Sequence, residues 1–303
     1  MTEGPDPKAP GRTARTTPRT ERKRTTMATI QTPPQTLPES GPDQAALLFD
    51  TVTTDRLEPD HLLRLGAGVL GAIRIRGFFD ADQCAQIMAG LENCTMGSYD
   101  ESLMKKRIPK LGPAVFDYYQ HEDFPAVYWA DVERSTAVRA GLLDGADPLD
   151  LAKAKLADSW PGGVRDLTLG GRAMFSGMIR EVNGGGGVHF DELVREFPGV
   201  VDETPVCQLA FNCHISVPSS GGELNVFRRR WEPRDEIRRG GDYFYPDDMV
   251  AGEPYASVCA SLGDAVLFDP RNYHRILPAG PGRRVALAFF IGISGSGELV
   301  LWS

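Results

Sequence analysis

The segment RAMFSGMIREVNGGGGVHFD, residues 172–191, carries the reading on which the fold turns. Its opening run, Arg172–Val182, alternates: Arg172, Met174, Ser176, Met178, Arg180 and Val182 fall on one face of an extended chain, the period-two pattern of a strand. Four glycines follow, Gly184–Gly187. No Lys-Ser/Thr pair comes after them, so they do not form a phosphate-cradling loop; they read as a tight connection out of the strand. The segment closes on His189-Phe190-Asp191. In extended backbone, residues i and i+2 share a face, so an imidazole nitrogen and a carboxylate oxygen can meet one metal ion.

Downstream the pattern repeats. Pro205–Val217, Glu223–Phe227, Ser257–Phe268 and Arg284–Ile293 are β-like runs broken by Gly, Pro and Asn. Strands without alternating helices predict an antiparallel sheet or sandwich and exclude a dinucleotide-binding α/β unit. Upstream the character is helical. A strand over Val69–Ile75 leads to Phe78-Phe79-Asp80, where Asp80 can cap a helix through Gln83, Ile87 and Leu91. Two more helices are expected over 126–143 and 148–160. The chain therefore reads as one decorated domain over 43–303, helix-rich over 43–163 with a β core over 164–303.

The residues for a metal site are few. The chain has five histidines. Two begin an H-x-D triplet, His121-Glu122-Asp123 and His189-Phe190-Asp191, and one such triplet alone is a weak signal. Context separates them. Beyond His189 lies His274, just after another strand, and ten residues later Arg284 opens the terminal strand. Two histidines and one carboxylate on one face leave coordination positions open, as in non-haem Fe(II) oxygenases, and an arginine fork suits a dicarboxylate. His121 lacks this company and reads as a loop histidine.

This order of residues resembles the 2-oxoglutarate/Fe(II)-dependent dioxygenases over 171–293. The matching motifs are His189-x-Asp191, Gly221-Gly222-Glu223-Leu224, Gly263-Asp264-Ala265-Val266-Leu267-Phe268, His274 and Arg284-Val285-Ala286. Within the superfamily it looks closer to bacterial small-molecule hydroxylases and halogenases than to histone demethylases. The resemblance implies a mainly β fold, a double-stranded β-helix (jelly roll) with flanking α-helices. It implies Fe(II), O2 and 2-oxoglutarate, with His189, Asp191 and His274 as iron ligands and Arg284 on the distal carboxylate of 2-oxoglutarate. Arg283 is the fallback, since only one of two successive strand residues points inward; the family's Arg-x-Ala pattern favours Arg284. In the halogenase branch the carboxylate position is Gly or Ala, and chloride takes the vacated site. Here Asp191 fills it, so the resemblance implies hydroxylation of a small, amino-acid-derived or natural-product metabolite. Desaturation and oxidative cyclisation use the same residues and stay open. A non-catalytic metal-binding barrel would be suggested by loss of Arg284 or of a ligand, and none is lost.

Three further features bear on the site. In 205–217, Gln208, Asn212, His214 and Ser216 share one face, while Cys207, Leu209, Phe211, Cys213 and Ile215 share the other. A polar face on a core strand suits a wet pocket, so Asn212 and His214 are expected on the cofactor side, hydrogen-bonding 2-oxoglutarate or substrate; a solvent-facing strand is the alternative. Arg180 reads equally as a substrate-carboxylate partner inside the barrel or as a surface arginine. The long, charged, aromatic stretch 228–256 reads either as a lid over the site or as a solvated loop.

Composition sets the outer bounds. The chain has 303 residues and a net charge of −8. An acidic body argues against wholesale nucleic-acid binding, and only the basic tail favours a macromolecule-modifying oxygenase. Residues 1–42 are rich in Pro, Thr and basic side chains and lack apolar periodicity, which predicts a disordered tail; Met27 is an alternative start. No stretch approaches the roughly 20 apolar residues of a membrane span, and no secretory leader is expected. The cysteine count is odd with no CxxC spacing, which reads as reduced thiols of a cytoplasmic protein.

Overall fold

Two β layers account for the β runs, antiparallel except where Asp50–Thr54 pairs with Leu70–Ile75 and Val164–Asp166 with Leu299–Trp302. A computed structural model describes residues 48–102, 104–118, 124–239 and 243–303. The basic tail and His121-Glu122-Asp123 lie outside the described residues. The large sheet has ten strands, running Asp50–Thr54, Leu70–Ile75, Ala265–Phe268, Cys207–Ser216, Val285–Ile293, Met178–Glu181, Pro109–Leu111 and Gly97–Ser98. Leu299–Trp302 pairs the far half of Val285–Ile293 and leads on to Val164–Asp166. The small sheet has four strands, in the order Tyr255–Val258, Leu224–Arg230, Asn272–Ile276 and Gly186–His189. This is a mainly β architecture with flanking helices.

The alternation in Cys207–Ser216 places the core. Leu209, Phe211, Cys213 and Ile215 pack outward with Leu267, Leu287, Phe289 and Ile291 against the helices. The opposite face looks between the two sheets, where Ala210, Val266 and Phe268 meet Leu224, Val226 and Val258 of the small sheet. Fully burying one such aliphatic side chain contributes about 1.5–3 kcal/mol, so a one-residue register slip in this strand would be disfavoured many times over. Helix Ala81–Leu91 is held where the sequence predicts. Asp80 accepts from the backbone N–H of Gln83 at 2.8 Å, the Gln83 amide oxygen accepts from the Asp80 backbone N–H at 3.0 Å, and Cys84, Ile87 and Leu91 are buried.

The structure corrects several boundaries. Arg172–Val182 is not one strand: Arg172–Ala173 forms a hairpin with Thr168–Leu169, and only Met178–Glu181 enters the large sheet. The break is at Gly177, whose φ of 80° departs from extended geometry. Ser257–Phe268 divides between Tyr255–Val258 of the small sheet and Ala265–Phe268 of the large one. The chain crosses at Gly263, where φ is 77° and a Cβ would lie 2.0 Å from the Phe79 carbonyl oxygen; Asp264 fixes the crossing by accepting from the backbone N–H groups of Gly77 and Ser261. The helices end earlier than periodicity suggests, as Phe124–Arg139 and Pro148–Ala157. The helix-rich half also supplies strands Asp50–Thr54, Leu70–Ile75, Gly97–Ser98 and Pro109–Leu111 to the large sheet. Among the described residues no helix is long and apolar enough to cross a membrane.

Candidate metal centre

Register creates the centre. His274 lies directly opposite His189 across the pair Asn272–Ile276 and Gly186–His189, and their ring centroids are 4.1 Å apart. Asp191 sits two residues beyond His189, on the same face. Its Oδ2 is 4.0 Å from His189 Nε2 and 3.6 Å from His274 Nε2. One ligand atom from each of the three lies within 4.8 Å of the others.

Each ring is oriented by its own strand. His189 Nδ1 is 2.8 Å from the Gly187 carbonyl oxygen, and His274 Nδ1 is 3.0 Å from that of Asn272. With Nδ1–H donating, each Nε2 keeps its lone pair toward the centre, the arrangement that fixes metal-binding histidines. Burial, with His274 adding, pushes His189 down to about 3, so its imidazole is neutral across the physiological range. Burial alone would raise Asp191, but His189, His274 and the Tyr243 hydroxyl outweigh it and hold the carboxyl below its ordinary range. Tyr243 donates to Asp191 Oδ1, opposite the oxygen that faces the histidines. Gln208 fixes the adjoining backbone: its amide oxygen accepts from Leu193 N–H at 2.9 Å, and its amide nitrogen donates to the Asp191 carbonyl at 3.3 Å.

The donor set suits Fe(II). Two imidazoles and one carboxylate converge from one side and leave the cavity side open. That cavity lies between the sheets and is lined by His189, Asp191, His274, Arg284, His214 and Asn212 among others. All six residues singled out in the sequence thus share one chamber.

The two arginines part company. Arg284 is buried; its Nε donates to the Gly222 carbonyl at 3.0 Å, and a terminal nitrogen lies 3.1 Å from His214 Nε2. Burial, with Arg180 adding, pushes Arg284 down to about 10. Burial and the facing Arg284 push His214 down to about 3, so His214 is neutral and its Nε2 accepts from Arg284. Arg283 points away and pairs with Glu181 and Glu92. His61 is no part of the centre: it caps the helix Pro59–Gly66.

The polar face of Cys207–Ser216 turns inward, with Gln208, Asn212 and His214 all buried. The stretch 228–256 covers the centre in part. Its first residues extend the strand Leu224–Arg230. Tyr245 N–H then bonds the Val188 carbonyl at 2.7 Å, beside the histidine strand, and Tyr243 and Phe244 stand over the His189 ring. Sequence reasoning had no residue-level signal for Tyr243 beyond its aromatic neighbours, Phe244 and Tyr245.

No protein-family model matches the chain. It is 39% identical over 269 residues to the L-gamma-glutamyl-L-propargylglycine hydroxylase of Streptantibioticus cattleyicolor, spanning 87% of this chain and 100% of that protein. It is 24% identical over 215 residues to leucinostatins biosynthesis cluster protein S of Purpureocillium lilacinum, spanning 66% of this chain and 88% of that protein. Among solved structures, an N-substituted L-amino acid dioxygenase from Burkholderia ambifaria AMMD matches with a TM-score of 0.55 at 13% identity, over 80% of this chain and 90% of that one. At that identity the likeness is one of fold.

Proposed function

Since the chain belongs to the 2-oxoglutarate/Fe(II)-dependent dioxygenases, we propose that His189, Asp191 and His274 hold the iron and that Arg284 receives the distal carboxylate of 2-oxoglutarate. The enzyme is an oxidoreductase that uses Fe(II), 2-oxoglutarate and O2. The substrate we propose is a free amino-acid derivative, a γ-glutamyl dipeptide such as L-γ-glutamyl-L-propargylglycine or a close analogue, hydroxylated at an unactivated carbon. The cytoplasm, which keeps thiols reduced and supplies Fe(II), is the proposed compartment. The observation that carries the reading is the register of His189 against His274, with Asp191 beside both and Arg284 in the same chamber.

When bound, iron with 2-oxoglutarate and O2 supplies the oxidising power and yields succinate and CO2. The chain's own residues do the rest. The Gly187 and Asn272 carbonyls aim the two Nε2 lone pairs. Tyr243 and Gln208 hold Asp191 from its side chain and its backbone. His214 braces the Arg284 fork, and the apolar walls, among them Phe268 and Leu224, exclude water.

The test begins without oxygen. Adding Fe(II) and then 2-oxoglutarate to the protein should give the weak visible charge-transfer band of the chelate. Admitting air with L-γ-glutamyl-L-propargylglycine should release succinate and a product one oxygen heavier. A folded protein that gives no band ends the cofactor reading; a band without succinate ends the substrate reading.

Tyr243→Phe tests the hydroxyl that steadies Asp191. Losing such a supporting hydrogen bond typically lowers metal affinity or activity 10- to 100-fold. A tenfold weaker Fe(II) site is expected by competition with a chelator, at unchanged thermal stability. Unchanged affinity would show that the carboxylate needs no such brace.

A further inference from the structure

We propose that Arg180, with Asn212 beside it, binds the C-terminal carboxylate of the amino-acid-derived substrate and so selects substrates that carry it. The inference rests on the dioxygenase reading above and goes beyond it to the substrate.

The placement comes from the sheet. Ala286 lies opposite Arg180 on one side and His214 on the other; Ala288 lies between Met178 and Asn212 in the same way. Two alanines on the inner face of the central strand leave room above them. The Arg180 side chain reaches across that room and donates to Asn212 Oδ1 at 2.9 Å. That bond turns the Asn212 NH2 away from the guanidinium, and both residues line the chamber with the metal triad. A planar fork beside an amide donor is a carboxylate receptor in shape and in charge.

Charge balance says whose carboxylate. Among the described residues Arg180 makes no ion pair at salt-bridge distance; its hydrogen-bond partners are Asn212 and Tyr99, neither of them a carboxylate. The carboxylate that acts on it is Asp191, and in the proposed site that one belongs to the iron. The two positive charges of Fe(II) and the one on Arg284 are matched by Asp191 and the two carboxylates of 2-oxoglutarate. Tyr99, Asp191 and Tyr243 hold Arg180 charged against its burial, and once Asp191 is counted against the iron the guanidinium has no full counter-charge of its own, which a buried cation needs. Glu196 does not serve: burial and Asp191 push its carboxyl well up, and the cations in its field are Arg239 and Arg195. The remaining anion is the substrate's.

The probes are L-γ-glutamyl-L-propargylglycine and its C-terminal carboxamide, titrated anaerobically against the Fe(II)·2-oxoglutarate chelate. Perturbation of the visible band reports binding without turnover, and succinate release gives kcat/KM for both compounds. Wild type should prefer the acid over the amide by roughly 100-fold, the scale for truncating one partner of a buried charge pair. Arg180→Gln should lose that preference by weakening the acid alone, with the affinity for 2-oxoglutarate changed less than threefold. Arg180→Lys, which keeps charge without the fork, should fall between, and the intact chelate band certifies folding in each variant.

Three outcomes overturn the proposal while leaving the dioxygenase reading in place. They are an acid preference that survives in Arg180→Gln, a tenfold or larger loss confined to 2-oxoglutarate, which would assign the arginine to the cosubstrate, and a chelate that neither compound perturbs. Absence of the chelate band in wild type is the separate failure, that of the dioxygenase reading itself.

Discussion

Replacing His189 with alanine is expected to abolish Fe(II)-dependent turnover and leave the apo-protein folded. In the proposed site the imidazole would supply one of three ligand atoms, and the other two, from Asp191 and His274, could not close the same face alone. Loss of a mere supporting partner costs 10- to 100-fold in metal affinity or activity, so loss of a ligand should exceed roughly 100-fold. Folding should survive for a reason of charge. His189 is neutral, held down to about 3 by burial and by His274, so its removal takes away no charge, and Asp191 keeps His274 and the Tyr243 hydroxyl beside it. The strand Gly186–His189 keeps its backbone pairing with Asn272–Ile276. The check is iron per chain after desalting, the chelate band and succinate release, beside a thermal melt without metal. One iron per chain and a wild-type band in His189→Ala would remove this residue from the ligand set. His274→Ala is a harsher version, because its ring is buried against Phe268 and leaves a void.

The comparison of two triplets shows what sequence could and could not decide. His189-x-Asp191 and His121-x-Asp123 are equal as local patterns, and only company at long range told them apart. That company is topological. His274 is eighty-odd residues from His189 in the chain, yet faces it across one ladder. The alternation of Cys207–Ser216 was legible because one of its faces meets the helices and the other meets polar chemistry. Apolar pattern could not separate Arg283 from Arg284, since Val285–Ile293 is apolar on both faces, and only the Arg-x-Ala match favoured Arg284; their partners separate them, Gly222 and His214 for Arg284 and Glu181 and Glu92 for Arg283. Arg172–Val182 misled because alternation continues through Gly177, where the backbone turns while the residue types still look extended. Tyr243 was invisible as an individual. Its role depends on the stretch after Leu224–Arg230 folding back along the histidine strand, and no local periodicity encodes that return.

The loss of Arg284 should separate cosubstrate binding from the rest of the site. Arg284→Ala is expected to weaken 2-oxoglutarate by roughly 10²–10³-fold, because truncating one partner of a buried, hydrogen-bonded charge pair costs about 2–5 kcal/mol at about 1.4 kcal/mol per decade. Much of the turnover should return at saturating 2-oxoglutarate, since the triad is untouched. Arg283→Ala is the matched control. Its partners are Glu181 and Glu92, its side chain is 36% exposed, and it does not line the chamber. Its 2-oxoglutarate affinity should therefore move less than threefold. Stability should move the other way from intuition. Among the described residues the Arg284 guanidinium bonds only a carbonyl and a neutral imidazole, and burial with Arg180 lowers it to about 10. The guanidinium is charged at neutral pH in the folded and the unfolded chain alike. A folded-state pKa below the ordinary value then marks a cation that the fold disfavours, so its removal should leave the metal-free melting temperature unchanged or higher. Equal losses of 2-oxoglutarate affinity in the two variants would overturn the assignment; a loss confined to Arg283→Ala would transfer it to the neighbour. The expected pattern, with affinity lost only at Arg284 and stability kept, follows from a residue whose counter-charge is the ligand.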